Sequence, residues 1–209
     1  MILASLKPYY YYLIGERKKN IEVRKSALKD LPQDIVFYMS KDEKSFAKIP
    51  KEFQEKYRKH FGKVGIKAVV DKIGQMKMTI DDFGNLILLS SIAMWNFNHC
   101  LSNDELDSYL GDKTGYGWHL DNAVISDKPK KLSEFYKAGA KSLKELEDEL
   151  CSYCYATDYG EHAEVVTPNG YYACEGRFCE EAYTEYLEQN FALTRPPQSY
   201  MYVKELKEV

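Results

Sequence analysis

The sequence predicts an α+β protein: a small mixed β-barrel with peripheral helices and an acidic, cysteine-rich insertion before the last strand. Three observations lead there. Short strand-like segments outnumber helical ones and are separated by turn residues. Charge is divided along the chain: residues 1–72 hold 17 basic and 9 acidic side chains, while residues 73–209 hold 12 basic and 23 acidic. Residues 145–190 carry 12 acids, the single base Arg177 and four of the five cysteines, which marks a separate excursion.

Composition excludes several classes. A chain that is 44% hydrophobic and 14% aromatic is too rich in core-forming residues to be disordered. No apolar run approaches the roughly 18 residues of a membrane span; the longest, residues 86–95, is interrupted by Ser90 and Ser91. The first residues lack a charged region followed by an apolar one, so no secretion signal is read and a cytoplasmic location, with reduced thiols, is expected. The 209 residues predict one domain of moderate size with a small appendage.

The elements follow in order. Residues 2–6 read as a short strand. Pro8 suits the first turn of a helix over residues 9–14, and Gly15 is its expected stop. Residues 20–24 alternate, with Ile21 and Val23 facing one way and Glu22 and Arg24 the other. Residues 35–39 are a continuous apolar run and predict a buried strand. A charged surface helix is expected from about 50 to 60, then a strand over 66–73. Residues 104–110 predict a helix capped by Ser102 or Asn103. Residues 116–126 predict a strand, 132–135 a helical turn and 199–206 a closing strand.

The strongest chemistry near the start is the segment from Gly15 to Lys25. A cation pair beside a carboxylate can hold a phosphate with the arginine fork and accept a base amino group with the glutamate. The plainer reading is a solvated strand face with a local ion pair. Lys19, Glu22 and Arg24 match K-x-x-E-x-R, and this resembles the G-x-K-x-x-E-x-R signature of the ASCH domain family, a branch of the PUA-like barrel superfamily. Gly15 lies four residues before Lys19, where the signature has two. Tyr116-Gly117-Trp118-His119-Leu120, Asp127-Lys128-Pro129, Leu132-Ser133-Glu134-Phe135 and Arg195-Pro196-Pro197-Gln198-Ser199-Tyr200 resemble a group of ASCH-like proteins typical of bacterial prophages.

The resemblance implies a PUA-like barrel over residues 1–136 plus 194–209, interrupted by an insertion at 137–193. It implies RNA or modified-nucleotide binding in a cleft lined by Lys7, Lys19, Glu22, Arg24 and Lys25. Lys19 and Arg24 would contact phosphate, and Glu22 the base. Trp118 is either a stacking platform or a core aromatic, and His119, its neighbour on the strand, reads as structural. One ASCH-like branch resembles amidohydrolases acting on N4-acetylcytidine, with a Thr nucleophile three residues after the motif Lys. Glu22 holds that position here. A ribonuclease is a further possibility, with Lys19 or Arg24 stabilising charge and Glu22 moving a proton; Lys19 and Glu22 are then the catalytic candidates. The sequence holds no P-loop, no G-x-G-x-x-G in strand–helix context and no H-E-x-x-H.

Cys151-x2-Cys154 and Cys174-x4-Cys179, separated by 19 residues, form two close pairs around a hairpin pattern with a Pro168-Asn169-Gly170 turn. Two such pairs can supply four thiolates to a structural Zn2+ in a zinc-ribbon-like insertion. Disulfides, buried free thiols, or His162 in place of one Cys are the alternatives. A closed four-cysteine site would fold a segment too small and acidic to hold itself together. The acidic insertion is also a candidate surface for a protein partner. Cys100 reads as a small, buried residue.

Overall fold

The computed structural model describes residues 1–91, 98–138, 165–167, 170–172, 191–198 and 200–205. It is a mixed α+β structure that divides into two compact units, residues 1–132 with 196–201 and residues 133–195 with 202–209.

In the first unit, β1 (Ile2–Leu6) is buried at every position except Ser5. Pro8 then opens α1 (Pro8–Gly15), where its missing N–H costs nothing. Tyr11 and Tyr12 of the tyrosine run enter the core, and their rings meet Tyr57 edge to face. Gly15 belongs to the helix. Its role is close approach: an added Cβ would overlap Tyr57 Oη and lie 3.1 Å from Cζ. The chain reverses just after it, with Arg17 at φ 56°.

Strand β2 (Ile21–Arg24) pairs antiparallel with β6 (Gly115–Lys130). Strand β3 (Gln33–Met39) lies parallel to β1 and antiparallel to β4 (Val64–Ile80). The 17 residues of β4 serve three partners: β3 early, β5 (Leu86–Ser90) late, and β6 along the other edge. The β4–β6 ladder shifts register three times, which bends the sheet. The hydrogen-bonded order is β2-β6-β4-β3-β1. The sequence predicts a mixed β-barrel; the ladders among the described residues form a mixed sheet and show no closure. One reason is local. The amide of Ile21, at the start of β2, donates to Asn98 O at 3.1 Å, so a loop takes the place a further strand would need.

Three helices complete this unit. The four-residue α2 (Glu43–Phe46) is capped by the Asp42 carboxylate on Ser45 N at 3.0 Å. The charged helix α3 (Lys51–Arg58) buries Tyr57. Ser102 and Glu105 form a reciprocal capping box at the start of α4 (Asn103–Leu110). The larger core joins β1, α1, β3 and Trp118; a smaller one joins Ile21 and Val23 to Met76, Met78, Leu106 and Leu110. Sequence patterning missed α2 and β5. The first is too short for periodicity, and the second lay inside an undivided apolar run.

In the second unit, β7 (Phe135–Lys137) pairs antiparallel with the end of β10 (Tyr200–Glu205). Strands β8 (Val165–Thr167) and β9 (Gly170–Tyr172) make the antiparallel pair expected around Pro168-Asn169-Gly170.

His60 is fully buried, its Nδ1 lies 3.0 Å from Tyr11 Oη, and its Nε2 is buried with no hydrogen-bond partner among the described residues. Burial first, then the charges of Lys56, Lys59 and Lys63, depress its pKa to about 4 from an ordinary 6.5, against an opposing pull from Asp127. The unfolded chain therefore binds a proton between these values that the folded chain refuses, so stability is complete above pH 6.5 and falls on acidification toward 4. The expected loss is on the order of 3 kcal/mol. Half-buried His99, also depressed, adds in the same direction. Urea unfolding across this window should show the slope, and His60→Gln should flatten it. At neutral pH, Gly65→Ala should cost about 1–3 kcal/mol, because its Cβ would overlap His60 Nδ1 and meet Pro129 Cβ at 2.9 Å.

Candidate functional site

Because Ile21 and Val23 of β2 face the smaller core, alternation turns Glu22 and Arg24 the opposite way. They meet Lys19 there, and all three side chains are buried. Glu22 Oε2 lies 3.4 Å from Lys19 Nζ, and Glu22 Oε1 lies 3.0 Å from an Arg24 Nη2. The same Nη2 donates to Ser5 O on β1 at 2.8 Å. Lys19 Nζ also donates to Ile21 O and, at 2.7 Å, to His99 O. The group thus ties β2 to β1, two strands that share no backbone ladder. Burial pushes the Lys19 ammonium down from its usual pKa, and Glu22 opposes that shift.

A loop holds Lys19 in place. Asn98 O accepts from the amides of Asn20 and Ile21 at 3.0 and 3.1 Å. Asn98 Nδ2 donates to Lys18 O at 2.6 Å, and Asn98 N donates to Asn20 Oδ1 at 3.0 Å. Cys100, at φ 54°, donates its thiol to Lys18 O at 3.2 Å. The cysteine expected to be buried is half-buried, and it belongs to this clasp.

These residues border a cavity of about 860 Å3. Lys7 and Tyr10 line it from the start of α1, Asp104, Glu105 and Tyr109 from α4, and Pro196 to Gln198 from the chain before β10. The volume lies within the usual range of small-molecule sites. Tyr10 Oη donates to Glu105 Oε1 at 3.2 Å; burial, then that carboxylate, pushes the phenol up to about 12.

Of the residues predicted for the site, Lys7, Lys19, Glu22 and Arg24 line the cavity together. Lys25 stands outside its lining, with Nζ 5.0 Å from the centre of the Tyr109 ring. Trp118 is fully buried, its Nε1 donates to Ser26 O at 3.2 Å, and its ring packs edge-on against Tyr200 at 5.1 Å. It is a core aromatic in this structure. His119 Nδ1 lies 2.6 Å from an Asp71 carboxylate oxygen. Cys151, Cys154, Cys174, Cys179 and His162 lie outside the described residues, as does most of the expected insertion. Sequence reading missed Tyr10, Tyr109, Asp104 and Glu105 as cavity residues. The signal for Tyr109 was its place on α4 at the border of the face that holds inward Leu106 and Leu110.

No protein-family model matches the chain, and neither does any curated protein. Among solved structures it is similar to the ASCH protein of Zymomonas mobilis at 14% identity, covering 91% of this chain and 95% of that one, with a TM-score of 0.41. A serine-to-alanine mutant of the same protein compares at 13% identity, 99% and 90% coverage and a TM-score of 0.47. A tyrosine-to-phenylalanine mutant compares at 14%, 91% and 98%, with 0.40.

Removing the carboxylate at the centre of the site takes away the counter-charge that Lys19 and Arg24 share. Glu22→Gln is therefore expected to cost about 3–5 kcal/mol in urea unfolding. Glu43→Gln breaks the exposed Arg58–Glu43 pair, spaced at 2.8 Å, and should cost less than about 1 kcal/mol. Equal losses would show that the central group is not desolvated.

Proposed function

We propose that this protein binds RNA or a nucleotide, with the base entering the cavity beside Lys19, Glu22 and Arg24. One observation carries the reading: a buried cluster of two cations around one carboxylate forms the wall of a cavity that two tyrosines also line. Buried charge is costly, and apolar replacement commonly stabilises, so such a cluster beside a cavity points to use. Tyr10 and Tyr109 supply aromatic surface, and Glu22 supplies a hydrogen-bond acceptor for a base edge. The K-x-x-E-x-R resemblance supports the same reading.

A hydrolytic reading uses the same residues and is favoured by one observation, the depressed ammonium of Lys19, which makes it a better proton carrier near neutral pH. Time-dependent conversion of RNA or of N4-acetylcytidine, lost in a folded Glu22→Gln variant, would establish it.

Binding itself is tested by titrating short single-stranded RNA at low salt. Tyr109→Ala, which changes a residue 39% exposed and should leave the fold intact, is expected to weaken binding by about 1–3 kcal/mol. Absence of binding to any RNA, nucleotide or nucleoside would remove the proposal. We also retain structural zinc on Cys151, Cys154, Cys174 and Cys179 as a proposal from their spacing. Elemental analysis should return about one zinc per chain, lost when the four cysteines are replaced by serine.

A further inference from the structure

We infer that the group received by the cavity is uncharged and presents N–H donors: a nucleobase bearing an amine, with any phosphate left outside. This rests on the nucleotide reading and narrows it.

The first argument is charge. Lys7, Lys19 and Arg24 line the cavity, and so do Glu22, Asp104 and Glu105. Three formal positive charges meet three negative ones, so the lining has no excess to attract a phosphate. An anion placed at the buried cations would also lie close to Glu22, whose oxygens touch both of them.

The second argument is a count of hydrogens. A lysine ammonium has three. Those of Lys19 face Ile21 O, His99 O and Glu22 Oε2. The two hydrogens on the Arg24 Nη2 face Ser5 O and Glu22 Oε1. A phosphate could take these donors only by stripping partners from backbone carbonyls, and a buried acceptor left unmet costs about 1–3 kcal/mol. The expectation that Lys19 and the Arg24 Nη2 grip phosphate therefore meets donors already in use.

Glu22 is different. An ionised carboxylate offers about four lone-pair sites, and among the described residues its ion-pair partners are Lys19 and Arg24. What the cluster presents to the cavity is acceptor capacity. The complementary ligand brings N–H groups, as the amines of cytosine and adenine do. Uracil brings one N–H between two carbonyls, and those carbonyls would compete for Lys19 and Arg24 Nη2 hydrogens already given to backbone oxygens and to Glu22.

Calorimetry with the full chain tests this, using cytidine, adenosine, uridine, cytidine 5′-monophosphate, inorganic phosphate and a short RNA as probes. Cytidine and adenosine should bind, uridine about tenfold more weakly or worse. The 5′-monophosphate should bind within about threefold of cytidine, since its phosphate meets a lining with no excess positive charge. Inorganic phosphate should not compete with cytidine. Uridine binding as well as cytidine would overturn the amine requirement. A monophosphate binding more than about tenfold tighter than its nucleoside, with steep salt dependence, would overturn the exclusion of phosphate while leaving the nucleotide reading intact. If no nucleoside, nucleotide or RNA binds, the reading itself fails, and the inference with it.

Discussion

The contact on which this structure depends is the one between Arg24 and Glu22, extended to Ser5 on one side and Lys19 on the other. Arg24 and Ser5 sit on strands four steps apart along the order β2-β6-β4-β3-β1. A side chain bridges them at 2.8 Å where no backbone ladder does. The cavity lies beside this bridge, so the side chains that link the two strands also form the wall a ligand would touch.

Such a group survives burial only if its charges are matched. Two cations around one carboxylate leave a surplus positive charge, and backbone carbonyls of Ser5, Ile21 and His99 absorb it. His99 is delivered by the clasp around Asn98, about eighty residues along the chain from Lys19. The clasp has a second effect, because it occupies the amides of Asn20 and Ile21 at the head of β2. Edge protection and lysine placement are thus the work of a single loop.

Much of this was legible in the sequence where local rules govern. The alternation at residues 20–24 gave the correct inward and outward faces, since period 2 follows from strand geometry alone. Pro8 marked the start of α1, and Ser102, read with Asn103 as the candidate cap, marked the start of α4. Lys7, Lys19, Glu22 and Arg24 were read as neighbours, and they share the cavity. What sequence could not supply is long-range. Nothing local says that Asn98 reaches Lys18, that Gly15 makes room for Tyr57, or that Tyr109 looks across at β2. Trp118 shows the same limit, since an aromatic on a strand is equally suited to a cleft or a core until its packing partner, Tyr200, is known.

The early charge excess has a narrower meaning than its size suggests. Seventeen bases against nine acids in residues 1–72 point to one part of the surface that meets a polyanion. The cavity, however, draws its acids from α4, beyond that segment, and ends balanced. The exposed surplus lies elsewhere, on Arg17, Lys18 and the charged face of α3, where Lys51 and Lys59 accompany Lys56 and Arg58. Cations on an open face act through long-range potential, which falls off over roughly 8–10 Å at physiological salt. Cations in the cavity act through fixed hydrogen bonds that salt barely screens. A polyanion would thus be gathered by the first set without touching the second. On the proposed reading, salt dependence and base selectivity would belong to different residues, separable by mutation because no contact joins Lys51 or Lys59 to the Lys19–Glu22–Arg24 cluster among the bonds described.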